Sequence, residues 1–169
     1  CGTLFWGRLT GSLLNPKDTS EGSIWIVDDI NEQRRAQEAL DAAVWEKQVL
    51  FDHAMVGIVF LRDRHLTRCN RHFELMLGYE AGELQGSSSR IWYANEADWE
   101  SVGERSRGPL SQGQAFADEI KLCKKDGSIV VCDVRSKAID PAQPHKGSVW
   151  ITMDITERQE AQAALQRMH

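Results

Sequence analysis

What this chain lacks narrows its function before any motif is considered. No run of about 18 apolar residues occurs in its 169 residues and no export-type apolar segment is present, so neither a membrane span nor secretion is predicted. Cations are in the minority: 20 Lys and Arg face 25 Asp and Glu, giving a net charge of −5 and a pI near 5.5. Phosphate backbones are bound by clustered Lys and Arg, so a nucleic-acid surface is excluded. The acidic residues are interspersed rather than blocked, as on a solvated face. The cysteines Cys1, Cys69, Cys123 and Cys132 form no CxxC pair and have no His partner at metal-ligand spacing. Inert free thiols in a reducing, cytoplasmic compartment are the expectation. No phosphate-cradling glycine loop is present, and no nucleophile, base and orienter can be assembled, so the chain does not read as an enzyme.

What is present is a repeat. Residues 21–40 align with residues 146–165 at an offset of 125, and eleven of the 20 positions are identical. Upstream, Gly2 falls on Gly127, Leu4 on Ile129, Leu9 on Val134, Leu14 on Ile139 and Pro16 on Pro141. A period this long marks duplicated domains rather than a solenoid. One whole unit is therefore expected, preceded by the tail of another. With Cys1 in place of Met and no helix cap at His169, the chain reads as an excerpt of a longer polypeptide.

Aromatic and β-branched residues predict strands at residues 3–14 and 23–30, joined as a hairpin by a polar connection. Asn31 is the expected N-cap of a linker helix over residues 31–50, whose Ala36, Leu40, Ala43 and Leu50 make a short coiled-coil seam interrupted by Lys47. Gly57 to Leu61 and Leu66 to Cys69 read as strands around the polar turn 62–65. Asn70 caps a helix with Phe73, Leu75, Met76 and Leu77 facing inward, stopped by Gly78. Residues 80–113 read as irregular and short-helical. A hairpin over 114–124 and 128–139 turns at Asp126-Gly127, and residues 147–155 form the last strand before a helix for which Thr156 is the expected cap. Strands flanking a block of short helices, with no crossover helices, predict an α+β domain on an antiparallel sheet.

Five segments now resemble one family in order and spacing. They are Gly57-Ile-Val-Phe-Leu61, Asn70 through Gly78-Tyr79, Glu83-Leu-Gln-Gly86, Lys125-Asp-Gly127 and Asp154-Ile-Thr-Glu-Arg158. Together they resemble a PAS domain with its C-terminal PAC motif, over roughly residues 50–157. The resemblance implies a five-stranded antiparallel sheet with short helices on one face around a small cavity, flanked by N- and C-terminal linker helices. It divides the chain into a truncated PAS hairpin (1–30), a linker helix (31–50), a complete PAS domain (51–156) and the start of an exit helix (157–169). It also implies a sensory module of a bacterial-type signalling protein, with a histidine kinase or a diguanylate cyclase as output in the same polypeptide and a homodimer held through the linker helices. The orphan hairpin, having lost its covering elements, is expected to be mobile or paired with another chain's edge.

For the signal-relay residues the resemblance points to Asp154, Thr156 and Arg158, with Asp29 at the equivalent first junction. A carboxylate and a hydroxyl at a helix start satisfy orphan N–H groups, and Arg158 is placed to pair with the carboxylate. The candidate pocket residues are Phe60, Phe73, Met76, Trp92, Tyr93, Trp99 and Leu122. Among cofactor classes, a flavin adduct is disfavoured because no Asn-Cys-Arg-Phe-Leu-Gln stretch exists. Haem is disfavoured because residues 96–106 hold no axial His, with His65 and His72 expected at the surface. A thioester chromophore needs a Cys between residues 95 and 113, and none is there. An unidentified small apolar or cofactor-like ligand remains. With a two-residue turn, Cys123 and Cys132 would share a sheet face diagonally, and inert thiols are the default over a redox pair.

Overall fold

The computed structural model describes residues 2–168, which form two compact units divided between Val49 and Leu50. In the first, β1 (Gly7–Leu13) and β2 (Ser23–Asp29) pair antiparallel, with Leu9 opposite Val27 and Gly11 opposite Trp25. The Trp25 ring packs directly on Gly11, where a Cβ would lie 2.8 Å from its carbons and would displace the exposed ring. The Trp25 indole N–H donates to Ser23 Oγ at 2.9 Å. Leu4, Phe5, Trp6 and Trp25 are exposed, as expected for a hairpin without covering elements. Helix α1 (Asn31–Asp52) follows and buries none of its residues.

The second unit is a five-stranded antiparallel sheet in the order β4-β3-β7-β6-β5. Its strands are β3 (Gly57–Arg62), β4 (His65–Cys69), β5 (Phe116–Cys123), β6 (Ile129–Ala138) and β7 (Ser148–Asp154). Between β4 and β5 lie α2 (Arg71–Leu77), a 3-10 turn at Ser89–Trp92 and α3 (Glu96–Ser111), and α4 (Thr156–Arg167) leaves the last strand. The helices cover one sheet face, and the core of Val59, Leu66, Phe73, Leu77, Leu84, Trp92, Val102, Leu122, Val130 and Val134 fills the space between. Each such side chain contributes about 1.5–3 kcal/mol on burial.

Asn70 ties this core to the sheet. Its Oδ1 accepts from Phe73 N (3.2 Å), capping α2, and from Ile58 N (2.9 Å), while its Nδ2 donates to Phe51 O and Val56 O (both 2.9 Å). At the other end of α2, Gly78 adopts φ 77°, the left-handed stop that a residue without Cβ takes at little cost. Beyond it, the 84–88 segment covers the outer edge of β4: Leu66 N donates to Ser87 O and Gly86 N to Leu66 O, both at 2.9 Å.

Four local expectations are corrected. Leu75 is 60% exposed rather than inward, because only Phe73, Met76 and Leu77 lie on the stripe that meets the sheet. Residues 96–111 form one continuous helix, not short pieces. The β5–β6 connection closes through Lys124 N to Ser128 O (2.8 Å), leaving three residues in the turn. That one-residue change pairs Cys123 with Ile129 and Cys132 with Ile120, which puts the two thiols on opposite faces of the sheet. Fourth, neither Asn31 nor Thr156 caps a helix, for a reason that belongs to the exit junction.

Candidate sensory cavity and exit junction

Strand alternation decides which side chains face the helices. Val59 and Leu61 on β3, Ile120 and Leu122 on β5, Val134 and Ala138 on β6, and Trp150 and Thr152 on β7 all point to that side. With Phe73, Trp92 and Tyr93 above them and α3 forming the far wall through Val102, Ser106 and Leu110, they line a half-open cavity of about 290 Å³. Four of the seven predicted pocket residues, Phe73, Trp92, Tyr93 and Leu122, are brought together here.

The other three lie elsewhere. Phe60 alternates to the opposite face of β3, where its ring centroid is 6.1 Å from that of Phe51. Met76 packs on the core from α2 without reaching the cavity. Trp99 stands behind the wall, its indole N–H donating to Ser89 Oγ at 2.9 Å. Period-2 parity would have exchanged Phe60 for Val59. Arg64, Val102, Ser106, Trp150 and Thr152 were not anticipated, since only the folded register brings them together.

Arg64 braces the cavity rim. It sits at φ 62° in the two-residue turn between β3 and β4, next to Asp63 at φ 49°, a left-handed pair suited to a tight hairpin. Its guanidinium lies 3.4 Å from the Trp99 ring centroid, donates to Trp99 O and pairs with Glu100 at 3.3 Å. Ser89 N returns a bond to Arg64 O at 2.8 Å, so turn, 3-10 segment and α3 form a closed bracket. Gly103 permits it, because a Cβ there would stand 2.8 Å from the guanidinium.

Burial favours the neutral form of one phenol and two thiols. Burial pushes the Tyr93 phenol up to about 12, against the opposing pull of Arg64 and Arg105. Burial likewise pushes the Cys132 thiol, 0% exposed, up to about 12, helped by Asp154. Cys69 rises to about 12 for the same first reason, with Glu74 adding to it. Among the described residues no group of three His, Cys, Asp or Glu side chains is placed to hold a metal ion.

At the exit junction the hydroxyl of Thr156 turns back to the sheet. Thr156 Oγ1 accepts from Val131 N at 3.0 Å, and Ile155 N donates to Val131 O at 2.9 Å. Together they make one extra rung of the β6–β7 ladder, with a side chain standing in for a carbonyl. Asp154 Oδ1 meanwhile accepts from Thr156 N at 2.9 Å, satisfying a first-turn amide of α4. The first junction repeats this bond for bond at the offset of 125. Asn31 Oδ1 accepts from Trp6 N (3.0 Å), Ile30 N donates to Trp6 O (2.9 Å), and Asp29 Oδ1 accepts from Asn31 N (2.9 Å). The side chains expected to cap are therefore spent on the strand. Arg158 is exposed and, among the described residues, makes no ion pair with Asp154.

A five-stranded antiparallel sheet cupping helices over a small cavity, left by a helix through an Asp-Ile-Thr rung, defines a sensory class of domain. The chain belongs to the PAS-domain family, whose profile matches residues 55–157. It is 34% identical over 110 residues to the sensor protein TdiS of Thauera aromatica, a match covering 65% of this chain and 20% of that protein. The aligned part thus spans about a fifth of that relative's length. Among solved structures it resembles the PAS domain, in complex with ethanol, of a LuxR-family transcriptional regulator from Burkholderia thailandensis. That match has a TM-score of 0.60 and 26% identity, covering 64% of this chain and 96% of the other. The PAS domain of an HTR-like protein from Haloarcula marismortui shares the fold at a TM-score of 0.61 and 20% identity, covering 72% of this chain and 99% of that one. The module is thus a PAS sensory domain, a non-catalytic class. No helix among the described residues is long and apolar enough to cross a membrane.

Proposed function

We propose that this chain is a cytoplasmic signal-relay module of a bacterial-type signalling protein, with a histidine kinase or diguanylate cyclase as its output in the same polypeptide. It dimerises through α1 and α4 and passes a conformational change through Asp154, Ile155 and Thr156. The observation that carries this reading is the duplicated rung. A shift of β6 against β7 acts directly on the first turn of α4 through Val131, and the same arrangement starts α1. Exposed apolar side chains on both helices, Leu40, Val44 and Leu50 on α1 and Leu165 on α4, support pairing with a second copy. Sedimentation velocity of the chain at tens of micromolar is expected to give a dimer, and a monomer there would refute the helix-paired arrangement.

A second reading, a receptor for a small ligand, is favoured by the cavity of about 290 Å³. The similar Burkholderia domain, crystallised with ethanol, supports it. Native mass spectrometry of several unheated preparations is expected to show a bound small molecule, and apo mass in all of them would remove this reading.

A further inference from the structure

One polar atom beside the cavity has no structural use. Ser136 lies on the cavity side of β6, between Val134 and Ala138, both of which line the cavity. It is 4% exposed, and its Oγ is the buried side-chain oxygen or nitrogen without a hydrogen-bond partner among the described residues. Leaving such a hydroxyl unpaired costs about 1–3 kcal/mol, and native structures rarely do so without purpose.

The chain contains its own control. Ser136 stands opposite Trp150 on β7 just as Gly11 stands opposite Trp25 on β2, at the same offset of 125. Both indoles are tethered alike, Trp25 to Ser23 Oγ at 2.9 Å and Trp150 to Ser148 Oγ at 2.8 Å. In the first hairpin the ring packs on a bare glycine, so the strand pair and its tryptophan do not require a hydroxyl at this position. On its other side Ser136 faces Phe116, whose ring meets Trp150 edge-on at 5.9 Å. Ser136 is thus flanked by Phe116 and Trp150, and Trp150 is itself a cavity wall.

Five other hydroxyls of the wall already make a hydrogen bond, and the Tyr93 phenol and Trp92 indole add further neutral polar groups. Ser106, Ser111 and Thr152 donate to Gly103 O, Gly108 O and Gly57 O, and Ser89 and Ser148 accept from the Trp99 and Trp150 indoles. The charged groups, Asp63, Arg64 and Arg107, are of both signs; Asp63 and Arg107 are exposed at the rim, and Arg64 is committed to Glu100 and Trp99. An ionised ligand head inside would be desolvated without a partner.

Resting on the receptor reading, we propose that the cavity takes a small neutral molecule with an apolar body and a single hydroxyl or carbonyl group, which pairs with Ser136 Oγ once Trp150 turns aside. An apolar cavity of roughly 150 Å³ takes one benzene ring. The 290 Å³ here suits about a dozen non-hydrogen atoms by the same proportion. Trp150 lies four residues before Asp154 on β7, so its displacement bears on the strand that ends at the exit junction.

The test is calorimetric titration of the whole chain with 1-hexanol, hexanoate and hexylammonium, which share one apolar body and differ in the head. Hexanol is expected to bind at least about tenfold tighter than either ion, since an unpaired buried charge costs more than one hydrogen bond. Ser136→Ala is expected to weaken hexanol about fivefold while raising the melting temperature of the free chain, because the orphan hydroxyl is gone. Ser136→Cys, a weaker donor of similar size, is expected to fall between. Equal hexanol affinity in wild type and both variants overturns the Ser136 assignment while leaving the cavity a receptor. Preference for hexanoate overturns the neutral-ligand assignment. Binding of none of the three overturns the proposal together with the receptor reading beneath it.

Discussion

Thr156→Val tests the exit rung with almost no change in side-chain shape. The substitution removes the acceptor for Val131 N, a 3.0 Å bond, and leaves the neighbouring Ile155 N to Val131 O bond in place. Val131 is half-buried, so its amide is only partly open to water after the change. A lost bond of this kind costs about 1 kcal/mol net, and incomplete rehydration of the N–H brings the total to about 1–2 kcal/mol. With a urea dependence of about 1.5 kcal/mol per molar, the midpoint of the second unit should fall by about 1 M. Thr156→Ser keeps the oxygen and should recover most of the loss. Asn31→Ala removes the matching bond at Trp6, which is 61% exposed, and should cost under about 0.5 kcal/mol because water replaces the oxygen. Urea titration gives the midpoints, and hydrogen exchange of peptides spanning Val131 gives the local effect. An unchanged midpoint for Thr156→Val, with Val131 exchanging as slowly as in wild type, would refute the reasoning.

Asn70→Ala removes four hydrogen bonds at a site of 0% exposure and should destabilise the second unit by about 3–5 kcal/mol, measurable as a lowered thermal midpoint. Gly147→Ala places a Cβ 2.0 Å from Leu61 O at φ 88°, so a loss of about 2 kcal/mol or more is expected in urea, with the β3–β7 register disturbed. Tyr93 has a folded pKa raised to about 12 from 10.0 in the unfolded chain. Its contribution is therefore complete below pH 10 and lost as pH climbs toward 12; the alkaline decline in stability should be shallower in Tyr93→Phe, as followed by urea midpoints. Cys132 and Cys69, both pushed up to about 12, should resist iodoacetamide at pH 7.5 in the folded protein, and rapid labelling of Cys132 read by mass spectrometry would contradict its burial.

The elements legible in the sequence were those specified by near neighbours. Asn70 and Gly78 bound α2 through contacts within three or four residues, and the capping and stop they encode were recovered. Errors arose where a distant strand competes for a local group. Thr156 has the chemistry of a cap, but the Val131 amide lies 25 residues away and claims its oxygen. The β5–β6 turn was misplaced by a single residue, which reversed the face of Cys123, because alternation converts a small register error into a complete one. The cavity was half legible for the same reason. Aromatic content pointed to Phe60, while the pleat presents Val59 and Leu61, and Trp150 enters only through pairing with residues 91 positions earlier on β3. Arg64 was invisible as a brace because its partners Trp99 and Glu100 are reached across a folded hairpin.

The junction at residues 154–156 has a consequence for engineering. On the strand side its partners are the main-chain N–H and C=O of Val131, and at the first junction those of Trp6. Main-chain partners are indifferent to the side chain that carries them. A domain cut after Asp154 and joined to a helix beginning Ile-Asn in place of Ile-Thr should therefore retain the same seam, as should the reverse swap at Asp29. The two helix starts are expected to act as interchangeable splice points, so that an output fused at either one inherits the same angle of departure from its sheet.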